Sequence, residues 1–450
     1  MQQTSQSEEI LLPYKYTPRP YQIPVLTAID RGTKGLPGGV LRAAAVWHRR
    51  SGKDITFSNF MFKKMEERIG AYYYLFPTYT QGNKVLWRGM DKTGFKFMDH
   101  YPEQLRKRVD NTDMIIESKR GSIFQIIGTD KIDRVVGTNP VGVVFSEWSL
   151  QNPMAWDFMR PILAENGGWA IFDYTPRGEN HGYDTYKYAQ AHPESWFADL
   201  LTVDDTNAIP KAVLDQEKEE ILAKYGNDAL YQQEYYCNFK VPIAGAYYAH
   251  QIMTAINEHR IGKVPWEPMI PVDTWWDLGI DDSMTIWFSQ TVGKEIRFID
   301  YLEYSGEGIG YYIKELQKKN YVYGTHTAPH DITVRELTNG KSRKDTAKGL
   351  GVDFEVAERG SVDDGINAVR MIFNRCWFDE EKCRIGLNAL KSYHKEYDEV
   401  NKVFRPHPVH DWSSHGADGF RTFAVKYEDK MEAMEDTPEW AKNRPGYSRG

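Results

Sequence analysis

From Leu41 onward the chain alternates short apolar runs with longer stretches in which apolar residues recur at helical intervals. The runs Leu41–Trp47, Ala71–Pro77, Ser122–Gly128, Val141–Ser146 and Trp169–Tyr174 have the length and near-continuous hydrophobicity of strands buried on both faces. Between the first two, Ile55, Phe57, Phe60, Met61 and Met65 follow a helical spacing that Gly70 ends. This strand–turn–helix alternation predicts an α/β fold with a mainly parallel sheet. A second block opens with Thr274–Leu278, Met284–Gln290 and Glu295–Tyr304, separated by turns carrying Asp281, Asp282 and Gly293, and predicts an antiparallel meander. A helix over Ile309–Lys319, a short strand at Tyr323–Thr327 and helices over Val362–Phe378 and Ser414–Lys426 are expected next. The expected organisation is a first domain over 1–240, a Pro-punctuated linker over 241–267, a second α/β domain over 268–427 and a polar tail over 428–450.

Bulk composition narrows the class. At 450 residues the chain has room for two or three domains, and 41% hydrophobic with 14% aromatic residues excludes a disordered chain. Apolar runs such as Ala43–Trp47 fall far short of the roughly 20 residues that span a bilayer, so no membrane segment is expected. Met1–Glu9 is polar and lacks the layout of a secretory signal, which predicts a cytosolic protein. Three cysteines, Cys237, Cys376 and Cys383, with no CxxC pair, fit a reducing compartment and argue against structural zinc. A net charge of −7 does not advertise a nucleic-acid binder, so any such contact must come from local patches. The basic series Lys84, Arg88, Lys92, Lys96, Arg106, Lys107, Arg108, Lys119, Arg120 and Arg134 is one candidate; its interleaved acids equally suit an ordinary solvated surface.

Candidate chemistry lies at strand ends. Trp47-His48-Arg49-Arg50-Ser51-Gly52-Lys53-Asp54 occupies a strand-to-helix turn, where backbone N–H groups at a helix N-terminus and one lysine can cradle phosphates. Gly52-Lys53 fit that pattern. Trp47 replaces its first glycine and Asp54 its metal-binding hydroxyl, so a plain basic turn is the alternative. Val141–Ser146 then runs into Glu147, where P-loop ATPases place the group that orients the attacking water. Ser146 stands where the metal-holding Asp is usual, leaving that role to water or Asp54. A third strand ends in the polar turn Thr175-Pro176-Arg177-Gly178.

In the second block Asp277 closes a strand, Asp331 follows another, and Asp418 sits in the last helical segment. Each alone could be a turn former. Together they match the RNase H-like layout of strand, hairpin, helix, strand and an acid-bearing helix, in which carboxylates hold two divalent ions for phosphodiester cleavage. Asp411 and His415 compete for supporting roles, and Asp282, Asp300 and Glu303 are weaker candidates. No GxSxG elbow and no cysteine with a histidine partner is in view.

These residues resemble the large subunits of tailed-phage terminases: the Arg49-Arg50-Ser51-Gly52-Lys53-Asp54 turn, the Ser146-Glu147 strand end, the Thr175–Gly178 motif and the stretch from Gln232 to Phe239. The resemblance runs from about Tyr14 to Lys426 and implies a P-loop ATPase domain of the ASCE type followed by an RNase H-like nuclease. It implies that Tyr21 and Gln22 contact adenine, and that Arg49, Arg50, Ser51, Gly52, Lys53 and Asp54 belong to the ATP site. Arg134, or else Arg49, would supply a transition-state arginine; a surface Arg134 paired with Asp130 or Asp133 is the alternative. It further implies coupling through Thr175–Gly178 and metal ligation by Asp277, Asp331 and Asp418. ATP with Mg2+, and Mg2+ or Mn2+ at the nuclease, would be the cofactors. Double-stranded DNA, a small terminase subunit, a portal protein and a homo-oligomeric ring would be the partners, in the host cytoplasm and transiently at the portal vertex of the procapsid. A helicase-like or repair ATPase fused to a nuclease, and a scaffold with decayed sites, are the rival readings.

Overall fold

The computed structural model describes residues 10–130, 137–279, 283–334, 342–398 and 403–435. The chain divides into two compact units, Met1–Pro242 and Ile243–Gly450.

The first unit is built on β1 (Arg42–Trp47), β2 (Ala71–Phe76), β3 (Arg106–Asp110), β4 (Ile115–Ser118), β5 (Ile123–Gly128), β6 (Pro140–Ser146), β7 (Trp169–Tyr174) and β8 (Trp196–Leu201). They form one sheet in the order β3-β4-β5-β2-β6-β7-β1-β8. From β5 to β8 every pairing is parallel, and only β4 runs against the rest, pairing antiparallel with both β3 and β5. Helices α1 (Ile23–Thr33) and α2 (Lys53–Glu67) contribute to the core on one face, with Ala43, Ala45, Tyr74 and Ile171 from the strands. Ala44, Val143, Phe145 and Phe172 point into the core on the other face. Covering both faces is what makes these strands read as unbroken apolar runs.

The hairpin β3–β4 and the strand β8 were not expected from the sequence. Arg106–Asp110 is charged and largely exposed at the sheet edge, where cations blunt further pairing, so no hydrophobic alternation marks it.

The second unit contains β9 (Ile261–Gly262), β10 (Val272–Asp277), β11 (Ser283–Val292), β12 (Glu295–Ser305), β13 (Tyr323–Ala328), β14 (Phe354–Val356) and β15 (Cys376–Asp379), ordered β14-β13-β10-β11-β12-β15-β9. β10, β11 and β12 form the expected antiparallel meander, and β13 lies parallel to β10 on its other side. The strands β16 (Lys395–Asp398) and β17 (Val403–Pro408) pair separately.

Three expectations need correction here. The stretch 241–267 is not a bare linker: it holds the helix Ala249–Asn257, whose Ile252 and Ala255 are buried in the second core, and the strand β9. Its prolines and glycines masked a short helix whose apolar face needs the second sheet. The helix expected over Val362–Phe378 stops at Ile372, and Cys376–Asp379 turns into β15, because Phe378 is drawn into the strand ladder beside Phe298. The closing helix spans Trp412–Glu435 and so enters the segment expected to be tail; residues 436–450 of that tail lie outside the described residues.

Among the described residues no helix is long and apolar enough to cross a membrane. The closing helix lies hard against the meander through Gly416 and Gly419. A Cβ at Gly416 would come within 2.9 Å of the Tyr301 hydroxyl, and one at Gly419 within 2.9 Å of Thr285 Oγ1. Trp287 Nε1–H donates to the Gly416 carbonyl at 2.8 Å, fixing the helix in register. This close approach is what carries Asp418 to the end of β10.

Candidate functional sites at two sheet edges

In the first unit β7 lies between β1 and β6, so the strands that run into the Gly52-Lys53 turn, the Thr175–Gly178 turn and Glu147 end side by side. The turn after β1 has Arg50 at φ 67° and Gly52 at φ 85°, left-handed positions that turn successive N–H groups toward one point. Gly52 caps α2, whose first residue is Lys53. The loop is tied down by Arg49 N–H donating to the Glu234 carbonyl (2.8 Å) and His48 N–H to the Leu201 carbonyl (3.0 Å). Tyr21 Oη–H and Gln22 Nε2–H both donate to the Ser51 carbonyl, at 2.7 and 3.1 Å, which sets the expected adenine-contacting pair against the loop itself.

The Lys53 ammonium is buried and donates to Thr175 Oγ1 (2.9 Å) and the Trp47 carbonyl (3.2 Å), with Glu147 Oε1 at 3.7 Å. Glu147 follows β6 in a left-handed conformation (φ 54°), a strained setting for a residue with a Cβ, and its Oε2 is buried without a hydrogen-bond partner. Ser146 Oγ–H donates to Asp54 Oδ1 at 3.1 Å and lies 3.5 Å from Asp173 Oδ1. Burial, and then the Glu147 charge, raise the Asp54 carboxyl above its ordinary range, with Lys53 opposing them. Arg177 Nη1 binds Glu234 Oε1 at 2.7 Å, and Arg49 Nη1 lies 3.6 Å from Glu234 Oε2. Pro176 and Gly178 are buried in the same turn, while Arg49 and Arg50 are exposed. Arg134 lies outside the described residues.

Two members of this site were missed in the sequence. Asp173 was hidden inside an apolar strand, where a lone carboxylate bracketed by Phe172 and Tyr174 is itself the signal. Glu234, buried between the two arginines, was signalled only by its place in the Gln232–Phe239 stretch. The basic-surface expectation fares differently: Lys107 pairs with Glu117, Arg108 with Asp110 and Arg106 with Asp99, so the β3–β4 part of that series is largely neutralised by its own acids.

In the second unit β10 and β13 are parallel neighbours, which puts Asp277 and Asp331 at the same edge, and the closing helix adds Asp418. Burial, then the Asp418 and Asp331 charges, raise the Asp277 carboxyl well above its ordinary range. Asp418 is also raised by burial, against the pull of Arg421 and His410; Arg421 Nη2 binds its Oδ1 at 2.9 Å. His415 Nδ1 lies 3.9 Å from Asp277 Oδ2. Asp331 Oδ1 is buried with no hydrogen-bond partner.

As the side chains stand, no three His, Cys, Asp or Glu among the described residues form a ligand sphere for a metal ion. An all-oxygen donor set with one bare buried oxygen nonetheless has the chemistry that Mg2+ or Mn2+ takes.

The remaining candidates separate by contact. Asp411 accepts from Ser413 N–H (2.9 Å) and Ser413 Oγ–H (2.5 Å), opening the closing helix. Asp300 is held by Lys319 (2.5 Å) and Tyr321 Oη–H (3.1 Å), and serves β12. Glu303 is buried, pushed up to about 7 by burial, and accepts from Tyr301 Oη–H at 2.6 Å; it lies opposite Thr285, which lies opposite Asp277. Asp282 lies outside the described residues. His410 and Arg421 went unassigned in the sequence, although both flank the acidic text from Asp411 to Asp418.

Both units are α/β, with parallel-rich sheets and charged groups gathered at the ends of neighbouring strands. The chain is similar to solved large terminases of bacteriophages. One is that of a thermophilic bacteriophage in complex with ADP, at 16% identity over 90% of this chain and 98% of that one, with a TM-score of 0.40. Another is that of bacteriophage HK97, at 10% identity over 92% and 95%, with a TM-score of 0.44. The P22 large terminase nuclease domain matches at 14% identity over 37% of this chain and 86% of that one, with a TM-score of 0.30. No protein-family model and no curated protein matches the chain.

Proposed function

We propose that this protein is a large terminase subunit, which hydrolyses ATP to drive double-stranded viral DNA into a procapsid and cuts the concatemer with a metal-dependent nuclease. The observation that carries the reading is the placement of Lys53, Thr175 and Glu147 at the ends of three adjacent strands in one unit, in a chain whose other unit gathers Asp277, Asp331 and Asp418 at a sheet edge.

In this mechanism the left-handed turn at Arg50 and Gly52 presents N–H groups to the phosphates, and Lys53 leaves Thr175 to meet them. Glu147 orients the attacking water, and its unpartnered Oε2 is the acceptor available for it. Tyr21 and Gln22 bind adenine, and Arg49 or Arg134 steadies the γ-phosphate. Because Lys53 and Thr175 share a hydrogen bond, occupation of the phosphate site changes the Thr175–Gly178 turn directly, which is the coupling step. At the nuclease, Asp277, Asp331 and Asp418 would hold divalent ions, which would supply a polarised water and stabilise the leaving oxygen. Arg421 and His415 orient Asp418 and Asp277. DNA is bound chiefly through its phosphates, so binding falls with salt, while site choice rests with a small terminase subunit and docking with the portal, on which the subunits form a ring.

The test is plasmid cleavage in Mg2+ or Mn2+ with ATP hydrolysis followed in parallel, for wild type, Lys53→Ala and Asp277→Ala. Loss of hydrolysis alone in the first variant and of cleavage alone in the second supports two separable activities. A wild-type protein that does neither with DNA present sinks the reading and favours a scaffold.

A further inference from the structure

The strand-end position where P-loop ATPases usually carry a metal-holding Asp is Ser146 here. The next strand supplies what is missing. β6 and β7 are parallel neighbours with Ser146 beside Asp173, and on the far side of Asp173 stands Ala45 of β1. Residues in register across parallel strands point to the same face, so these three form one row, and its two outer members are small.

Asp173 is fully buried. One of its oxygens lies 3.5 Å from Ser146 Oγ, and the other is buried with no hydrogen-bond partner. Burial, and then the Asp54 charge, raise its carboxyl well above the ordinary range, with Lys53 opposing them, so a cation beside it is what would hold it ionised. Lys53 is the cation whose field reaches both Asp173 and Asp54, and it also faces Glu147 at 3.7 Å. Lys53 cannot keep that duty once it turns to phosphate. A second cation beside Asp173 would then keep it ionised, and ATP arrives with one.

We propose that Asp173 takes the place of the absent strand-end carboxylate, positioning the Mg2+ of MgATP from β7 through Ser146 and the unpartnered oxygen. Asp173 is a positioning residue in this scheme. The inference rests on the ATPase reading of the first unit.

The experiment titrates a fluorescent, non-hydrolysable ATP analogue into the full chain in Mg2+ and again in EDTA. Wild type is expected to bind about tenfold or more tightly in Mg2+, a gain that Asp173→Asn largely loses while its binding in EDTA stays the same or tightens. Moving the carboxylate back, in the double variant Ser146→Asp with Asp173→Asn, is expected to restore part of the gain; thermal melting of each variant confirms that it is folded. An Asp173→Asn protein that keeps the full Mg2+ gain overturns the inference and leaves the ATPase reading standing. So does a folded double variant that recovers none of it. A wild type that does not bind the analogue overturns both.

Discussion

The Lys53 ammonium donates to the Thr175 hydroxyl across 2.9 Å, joining the first turn of α2 to the turn that follows β7. Both groups also donate to the Trp47 carbonyl, at 3.2 and 3.0 Å, so the lysine is tied to the end of its own strand. On the proposed reading phosphate would break this tie, and a hydrogen bond to a charged group is worth about 1.5–3 kcal/mol. Thr175→Val keeps the volume and removes the hydroxyl. ATP affinity in equilibrium binding is expected to hold or rise, while steady-state turnover falls by about tenfold because the turn no longer senses Lys53. Unchanged turnover would remove Thr175 from the coupling path.

Glu234 is buried and holds Arg177 at 2.7 Å with Arg49 at 3.6 Å. Removing one partner of a buried pair costs about 3–5 kcal/mol when it strands the other charge. Glu234→Gln, which can still accept one hydrogen bond, is expected to lower the melting temperature and to reduce ATP turnover. Calorimetry and a coupled hydrolysis assay read the two effects; a variant indistinguishable from wild type in both would show that the arginines do not depend on Glu234.

Asp277 separates activity from stability. Burial and the neighbouring Asp331 and Asp418 charges make its ionised form unfavourable in the folded state. Asp277→Asn removes that repulsion at neutral pH. The variant is expected to melt at or above the wild-type temperature, to hydrolyse ATP normally and to lose metal-dependent nicking. A clear drop in melting temperature would mean that Asp277 is structural.

Glu303 gives a pH signature. Its carboxyl is pushed from 4.5 up to about 7 by burial, so between those values the folded protein holds a proton that the unfolded chain has released. Stability contributed by this group is therefore fully present below about pH 4.5 and declines as pH rises toward 7, by about 3 kcal/mol in all. Glu303→Gln is expected to gain stability relative to wild type at pH 8 and to gain little at pH 5. Denaturant unfolding at the two pH values measures the difference, and an equal effect at both would refute the assignment.

Much of the first unit could be read directly because its central strands are covered on both faces. Continuous burial leaves the same apolar runs in the sequence that it leaves in the structure, so β1, β2, β5, β6 and β7 fall where the hydrophobicity places them. The strand-end positions of the Gly52-Lys53 turn and Glu147 were visible for a related reason: each sits at the junction of an apolar run and a polar turn. Asp277 and Asp331 were legible in the same way. The charged edge strand β3, the short strand β15 and the helix Ala249–Asn257 carry no such contrast, since each owes its shape to a neighbour distant in the chain.

By itself, then, the sequence determined the α/β alternation, the meander of the second unit and the strand ends where reactive groups cluster, because local periodicity and turn chemistry are written in consecutive residues. Which groups meet was decided only by the tertiary structure. Asp173 comes beside Ser146 because β7 is inserted between β1 and β6, and Asp418 reaches Asp277 because two glycines let the closing helix rest on the meander. Strand order and interhelical approach are set by packing between segments far apart in the chain, and no window of local sequence contains them.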